Sequence, residues 1–253
     1  MSLCFIFIGV GGVFAEPLKV HTWELGTEIS HITYKEPDVM REKGMMYGID
    51  GSYAYHQNLM LKAEARFAYG QVDYKNSGTI DNIDDYAWEL RGLGGYDFPI
   101  LKAATVTPYL GIGCRYLNDD TSGKISSTGA YGYERESNYV YSPIGLEVII
   151  PLKNGWSVGT MLEYNYFWKG IQKSHLSNVP GYYDIENNQD EGYGFRGYIK
   201  VRNKGEKLDF VIEPFIRYWN IKDSKTTTDP TGTTWIEPKN NSTEFGIKFA
   251  LKF

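Results

Sequence analysis

From residue 23 to the end of the chain, apolar and polar side chains alternate with a period of two. Trp156, Val158, Thr160, Leu162, Tyr164, Tyr166 and Trp168 share one face of a segment, against Ser157, Gly159, Met161, Glu163, Asn165 and Lys169. Over 86–98, Tyr86, Trp88, Leu90, Tyr96 and Phe98 oppose Glu89, Arg91 and Asp97. Over 59–69, Leu59, Leu61, Ala63, Ala65, Phe67 and Tyr69 oppose Lys62, Glu64 and Arg66. Side chains of a strand point to opposite faces in turn, so this pattern writes β-strands that are apolar on one side. A soluble sandwich buries the apolar face, whereas a membrane barrel turns it to lipid and keeps the charges inside. The period alone leaves both open.

Length and sorting decide between them. Ten segments carry the pattern, at 23–34, 44–56, 59–72, 84–98, 105–117, 138–150, 156–169, 191–202, 207–219 and 241–253. At about 13 residues each they exceed the usual globular strand and suit a tilted bilayer crossing. Short connections (56–58, 99–104, 151–155, 203–206) alternate with long polar ones (35–43, 73–83, 118–137, 170–190, 220–240). Short turns on one side and long loops on the other describe an outer-membrane barrel. Aromatic residues such as Trp23, Tyr34, Tyr55, Tyr69, Tyr86, Phe98, Trp156, Trp168 and Trp219 fall near segment ends, where amphipathic rings favour the membrane interface. A mean hydropathy of −0.39 excludes a bundle of apolar helices. A net charge of −5 gives no basic surface for nucleic acid. Pro108, Pro143 and Pro214 fall inside segments, and each predicts a local lapse in the hydrogen-bond ladder.

The ends specify a compartment. Leu3 to Val13 is apolar apart from glycine and leads to Ala15, which reads as a secretory signal peptide over 1–15, with 16–253 forming a single barrel domain. Cleavage there leaves one cysteine, Cys114, and hence no internal disulfide. Thr243, Phe245, Ile247, Phe249, Leu251 and Phe253 alternate to the final residue. This ending resembles the assembly signal of bacterial outer-membrane β-barrels. The resemblance implies an all-β, antiparallel, up-and-down transmembrane barrel of ten strands, with short periplasmic turns and long extracellular loops. It implies outer-membrane lipid and lipopolysaccharide and the barrel assembly machinery as partners. We expect a monomer.

The charged faces then line the lumen. They carry Glu64, Arg66, Glu89, Arg91, Arg115, Glu147, Glu163, Arg196, Glu213, Arg217, Glu244 and Lys248, together with Glu24, Glu28, Asp50, Lys62 and Lys200. Signs are nearly balanced, and buried charges must be paired. A ten-stranded barrel is little wider than one that side chains fill. The expectation is a closed, charge-filled lumen, with a narrow pore as its rival.

Chemistry is expected at the loop side. Tyr141 to Leu146, and then Glu163 to Trp168 leading to His175, look like the omptin strand pair before its catalytic loop. The resemblance implies an outer-membrane endopeptidase with His175, Asp84 and Asp85 as its site. Two departures weigh against it: Lys173 stands where omptins have an aspartate two residues before the histidine, and Asp81, Asp84 and Asp85 lack the Asp-x-Asp-Trp form. The same three aspartates are a candidate calcium cluster. His21, His31 and His56 are isolated. No phosphate loop, dinucleotide fingerprint or zinc spacing occurs, so no cofactor is expected. The leading expectation is a non-enzymatic surface, structural or ligand-binding barrel, and the alternative is the omptin-like endopeptidase.

Overall fold

The computed structural model describes residues 20–100 and 103–253. The proposed signal segment, Cys4 included, lies outside the described residues. Ten long strands run up and down: β1 His21–Glu36, β2 Met40–Gln57, β3 Leu59–Asn76, β4 Gly78–Tyr96, β5 Ala104–Asp120, β6 Glu134–Pro151, β7 Trp156–His175, β8 Gly192–Asn203, β9 Asp209–Ile221 and β10 Asn240–Lys252. Each pairs antiparallel with its sequence neighbours. β10 returns to β1 and closes the cylinder. Trp23 and Phe253 complete that seam, exchanging two backbone hydrogen bonds of 2.9 Å.

The alternation resolves as the pattern requires. Leu25, Leu110, Ile112, Leu162 and Phe249 stand exposed on the outer wall. Glu28, Glu89, Arg91, Glu163 and Glu244 are buried in the lumen. Trp23, Tyr53, Tyr96 and Trp156 ring the turn side, and Tyr47, Tyr69, Tyr166 and Phe195 the loop side. From Trp156 to Tyr166 the strand covers ~33 Å, enough for a tilted crossing of an apolar band ~25 Å tall. Each proline sits at an interrupted ladder. Pro108 marks the handover from β4 to the short strand Phe98–Ile100. Pairing lapses next to Pro143 on the β5 side and next to Pro214 on the β8 side.

Two expected long loops are strand instead. The 35–43 connection is a turn at 37–39, with Asp38 at φ 66°, and the 73–83 connection turns at Ser77-Gly78. Outside the bilayer both faces of a strand can meet polar groups, so the apolar alternation fades while the ladder continues. Three long outer connections remain, at 121–133, 176–191 and 222–239.

The lumen is filled in tiers. Nearest the turns, Lys248 lies 2.8 Å from Glu24 and 3.3 Å from both Asp50 and Glu213, and Lys200 lies 3.2 Å from Glu24 and 3.0 Å from Glu213. Above them Arg66 and Arg217 both bridge Glu28 and Glu244. Arg91 bridges Glu64 and Glu163, and Arg196 bridges Glu89 and Glu163. Tyr109 donates to Glu163 and Tyr141 to Glu89. Their rings need glycine opposite. A Cβ on Gly113 would fall 2.4 Å from the Tyr141 ring, and one on Gly145 would fall 2.3 Å from that of Tyr109. The next tier is apolar: Ile32, Met46, Ala68 and Val72 on one side, Tyr139, Tyr141, Phe167 and Trp219 on the other. Arg115 lies between the tiers, 5.8 Å from the ring centres of Tyr139 and Trp219. The charged section holds cavities of about 70 and 50 Å³.

Breaking one buried pair while leaving its partner in place costs about 3–5 kcal/mol. Arg217→Ala leaves Glu28 and Glu244 sharing Arg66 alone. We expect a clear drop in the temperature at which the purified barrel loses its compact form on heated gels. An unchanged transition would show that the Arg217 bridges add nothing to stability.

Candidate functional site

Beyond the apolar tier the inner wall turns acidic. β1 ends with Glu36, β2 begins with Met40-Arg41-Glu42, β5 ends with Asp119-Asp120, and β6 begins with Glu134-Arg135. The period of two turns Glu36, Glu42, Asp119 and Arg135 inward, with Asp85 of β4 directly beside Asp119 in the ladder. A cavity of about 300 Å³ opens here, lined by Glu36, Met40, Glu42, Tyr74, Asp119, Tyr131, Tyr133 and Arg135.

Five carboxyl groups gather here: Glu36, Glu42, Asp119 and Glu237 face the Arg135 guanidinium, and Asp85 lies between it and Arg115. Arg135 lies 2.8 Å from Glu36, 3.9 Å from Asp119, and over the Tyr34 ring at 5.3 Å. The fifth carboxyl, Glu237, comes from the 222–239 loop. The Glu237 N–H donates to Ser224 Oγ and its carbonyl accepts from the Ser224 N–H, both at 2.9 Å, which joins the two ends of the loop to each other. Burial, reinforced by Asp119, pushes the Glu42 carboxyl well up, and the two side chains share a hydrogen bond. Burial likewise raises Asp119, and pushes Glu237 up to about 7. One oxygen each of Asp85, Asp119 and Glu237 is buried without a hydrogen-bond partner.

The residues singled out from the sequence distribute differently. The twelve lumen charges occupy the tiers below the cup. Asp84 and Asp85 point to opposite faces of β4. Asp84 is on the outer wall, accepting from Tyr69 at 2.6 Å and Gln71 at 3.1 Å, while Asp85 is inside. Asp81 is exposed near the β3–β4 turn. The three aspartates therefore do not form one cluster. His175 also lies on the outer wall, with Nε2 2.8 Å from Glu136 and Nδ1 3.7 Å from Asp184. The register Asp84–Asp120–Glu134–His175 places three strand spacings, ~14 Å, between Asp84 and His175. The structure does not bring His175 together with Asp84 or Asp85. The cup residues Glu36, Glu42, Asp119, Arg135 and Glu237 escaped the sequence reading because they fall in stretches read as loops. The spacings Met40-x-Glu42 and Arg135-x-Ser137-x-Tyr139 were the available signal.

Glu237 makes the mouth sensitive to pH. Its folded-state pKa lies above the ordinary 4.5, so its stabilising share is full below 4.5 and is lost as pH rises through about 7. Hydrogen exchange of 222–239, corrected for intrinsic rates, should therefore quicken between pH 6 and pH 8, and Glu237→Gln should remove the difference. Equal protection at both pH values in the unmodified protein would contradict this account.

Comparison with known proteins follows the same lines. The family model described as "Outer membrane protein beta-barrel domain" matches residues 5–196, three quarters of the chain. Among solved structures, the outer membrane protease OmpT from Escherichia coli superposes with a TM-score of 0.65 at 10% identity, covering 96% of this chain and 98% of that one. At that identity the likeness speaks for the fold alone. The toluene transporter TbuX of Ralstonia pickettii gives a TM-score of 0.39 at 8% identity, over 92% of this chain and 89% of that one. Neisserial surface protein A gives 0.38 at 8%, over 91% and 97%. No curated protein matches. A closed ten-stranded cylinder with a lipid-facing belt and a family match over most of its length settles class and compartment: the chain belongs to the outer membrane protein beta-barrel domain family and resides in the bacterial outer membrane.

Proposed function

We propose that the protein is a non-conducting barrel that binds a cationic ligand at its outward mouth. The observation that carries this reading is the gathering of Glu36, Glu42 and Asp119 with Arg135 on the wall of a cavity of about 300 Å³, with Asp85 and Glu237 buried beside them. Ionised carboxylates buried in excess of their counter-charges are costly, and an incoming cation offsets that cost. Tyr74, Tyr131 and Tyr133 add aromatic surface that suits an organic cation. Below the cup, the apolar and ion-pair tiers leave little room for solute, which supports a plug over a pore. The outward apolar belt takes the bilayer, with its lipopolysaccharide, as partner. Insertion by the assembly machinery and a monomeric state complete the reading. The endopeptidase alternative gains nothing from the geometry, since His175 stands outside the cup.

Two measurements test the proposal. Purified protein in planar bilayers should show little steady conductance, and a large ion-selective current would replace the plug with a pore. A fluorescent polyamine should bind in detergent, more tightly at pH 8 than at pH 6 because Glu237 ionises as pH rises through about 7. The double variant Glu42→Gln, Asp119→Asn should weaken binding by about tenfold or more, on the scale of 1.4 kcal/mol per decade. Equal affinity in that variant would remove the cup from the reading. Dibasic peptides offered to the same preparation should stay intact.

A further inference from the structure

A second group of ligating side chains lies outside the cup, on the opposite face of the same wall. Glu134 and Glu136 are two residues apart on β6 and so share its outer face. Glu134 is directly opposite His175 in the β6–β7 ladder, and Glu136 is diagonal to it. One ligand atom from each of the three lies within 4.8 Å of the other two, and all three residues are half-buried.

We propose that Glu134, Glu136 and His175 bind a divalent transition-metal ion of the zinc class on the outer wall, beyond the membrane.

The surroundings of the three are arranged as a metal site requires. His175 aims Nε2 at Glu136 and Nδ1 at Asp184. A histidine that ligates through one ring nitrogen commonly gives its other N–H to a carboxylate, which fixes tautomer and ring orientation. Asp184 is itself held, accepting the Ser177 N–H at 2.9 Å. Glu134 is fixed from the other side: its carboxylate accepts from Asn118 Nδ2 at 2.7 Å, and its backbone N–H donates to Asn178 Oδ1 at 3.1 Å. Asn118, at 2% exposure, is a buried amide reaching outward to orient that carboxylate.

Charge points the same way. Three carboxylates, from Glu134, Glu136 and Asp184, face one imidazole and one ammonium, that of Lys173 opposite Glu136 in the ladder. A protonated histidine would answer one of them, and a dication answers more. Imidazole nitrogen with two carboxylate oxygens suits zinc and its neighbours better than calcium or magnesium, which take oxygen alone. Three protein ligands leave a fourth position to solvent. Binding displaces a proton from the imidazole, so affinity must fall as pH falls.

The experiment uses the full barrel in detergent, titrated calorimetrically with Zn²⁺ and optically with Co²⁺. We expect one tight equivalent and visible cobalt bands of a low-coordinate nitrogen–oxygen site. His175→Ala, the near-isosteric His175→Gln, and Glu136→Gln should each cost about 100-fold or more in affinity. Asp184→Asn, which alters the carboxylate 3.7 Å from His175 Nδ1 and none of the three ligands, should cost about 10–100-fold. Glu42→Gln in the cup should leave the affinity unchanged, which separates this site from the proposed cationic-ligand site. The proposal is overturned if unmodified protein takes up no zinc at micromolar concentration. It is equally overturned if both His175 variants bind as tightly as the parent, or if Glu42→Gln abolishes binding.

Discussion

A backbone in hydrocarbon finds no water for its N–H and C=O groups, so every one must be paired within the protein. The rest of this molecule follows from that condition. The ladder must close, and β1 meets β10 along twelve residue pairs to close it. Ten strands then fix a lumen only slightly wider than side chains can fill. The sequence fills it with arginines and carboxylates that bridge two neighbours each, as Arg66 and Arg217 do between Glu28 and Glu244. The glycines at 113 and 145 belong to the same solution, because tyrosine rings reach the central carboxylates only over a wall without side chains.

Closure and filling divide the molecule's work. The membrane section is spent on being a stable tube, with its charges neutralised in pairs. Outward of the apolar tier carboxyls outnumber cations, and oxygens of Asp85, Asp119 and Glu237 lack hydrogen-bond partners, as single oxygens of Asp50, Glu163 and Glu213 also do lower in the lumen. A local excess of carboxyls over cations, above tiers where the two are nearly balanced, is a physical reason to look for function in that place. The 222–239 loop, which brings the Glu237 carboxyl to the mouth, makes that excess conditional on pH.

Most of the barrel was legible because lipid and lumen impose opposite demands on alternate residues. All ten strands expected from the sequence occur, and β7 begins at Trp156 as expected. Legibility failed where lipid stops. Over 35–43 and 73–83 the outer face meets water, the contrast vanishes, and continuing strand read as loop. The cup lies in that zone, so Glu42 and Asp119 carried no periodic signal strong enough to mark them. His175 was visible as a lone histidine on a loop. Its partners were not, because Glu134 and Glu136 reach it through a cross-strand register that no spacing in the chain expresses. Asp84 and Asp85 show the converse: adjacency in sequence on a strand guarantees opposite faces.

The strands that outrun the bilayer have a mechanical consequence. From Tyr69 to Asn76, and from Tyr166 to His175, the hydrogen-bonded wall continues for roughly 20–30 Å along the strand direction. A ladder of this kind is stiffer than loops of the same length. The acidic mouth is therefore carried on a rigid chimney that stands above the lipid-facing belt. A ligand tethered to a large body can approach that opening from above without pressing into the lipid surface. The stand-off distance is set by the wall and does not fluctuate with the loops.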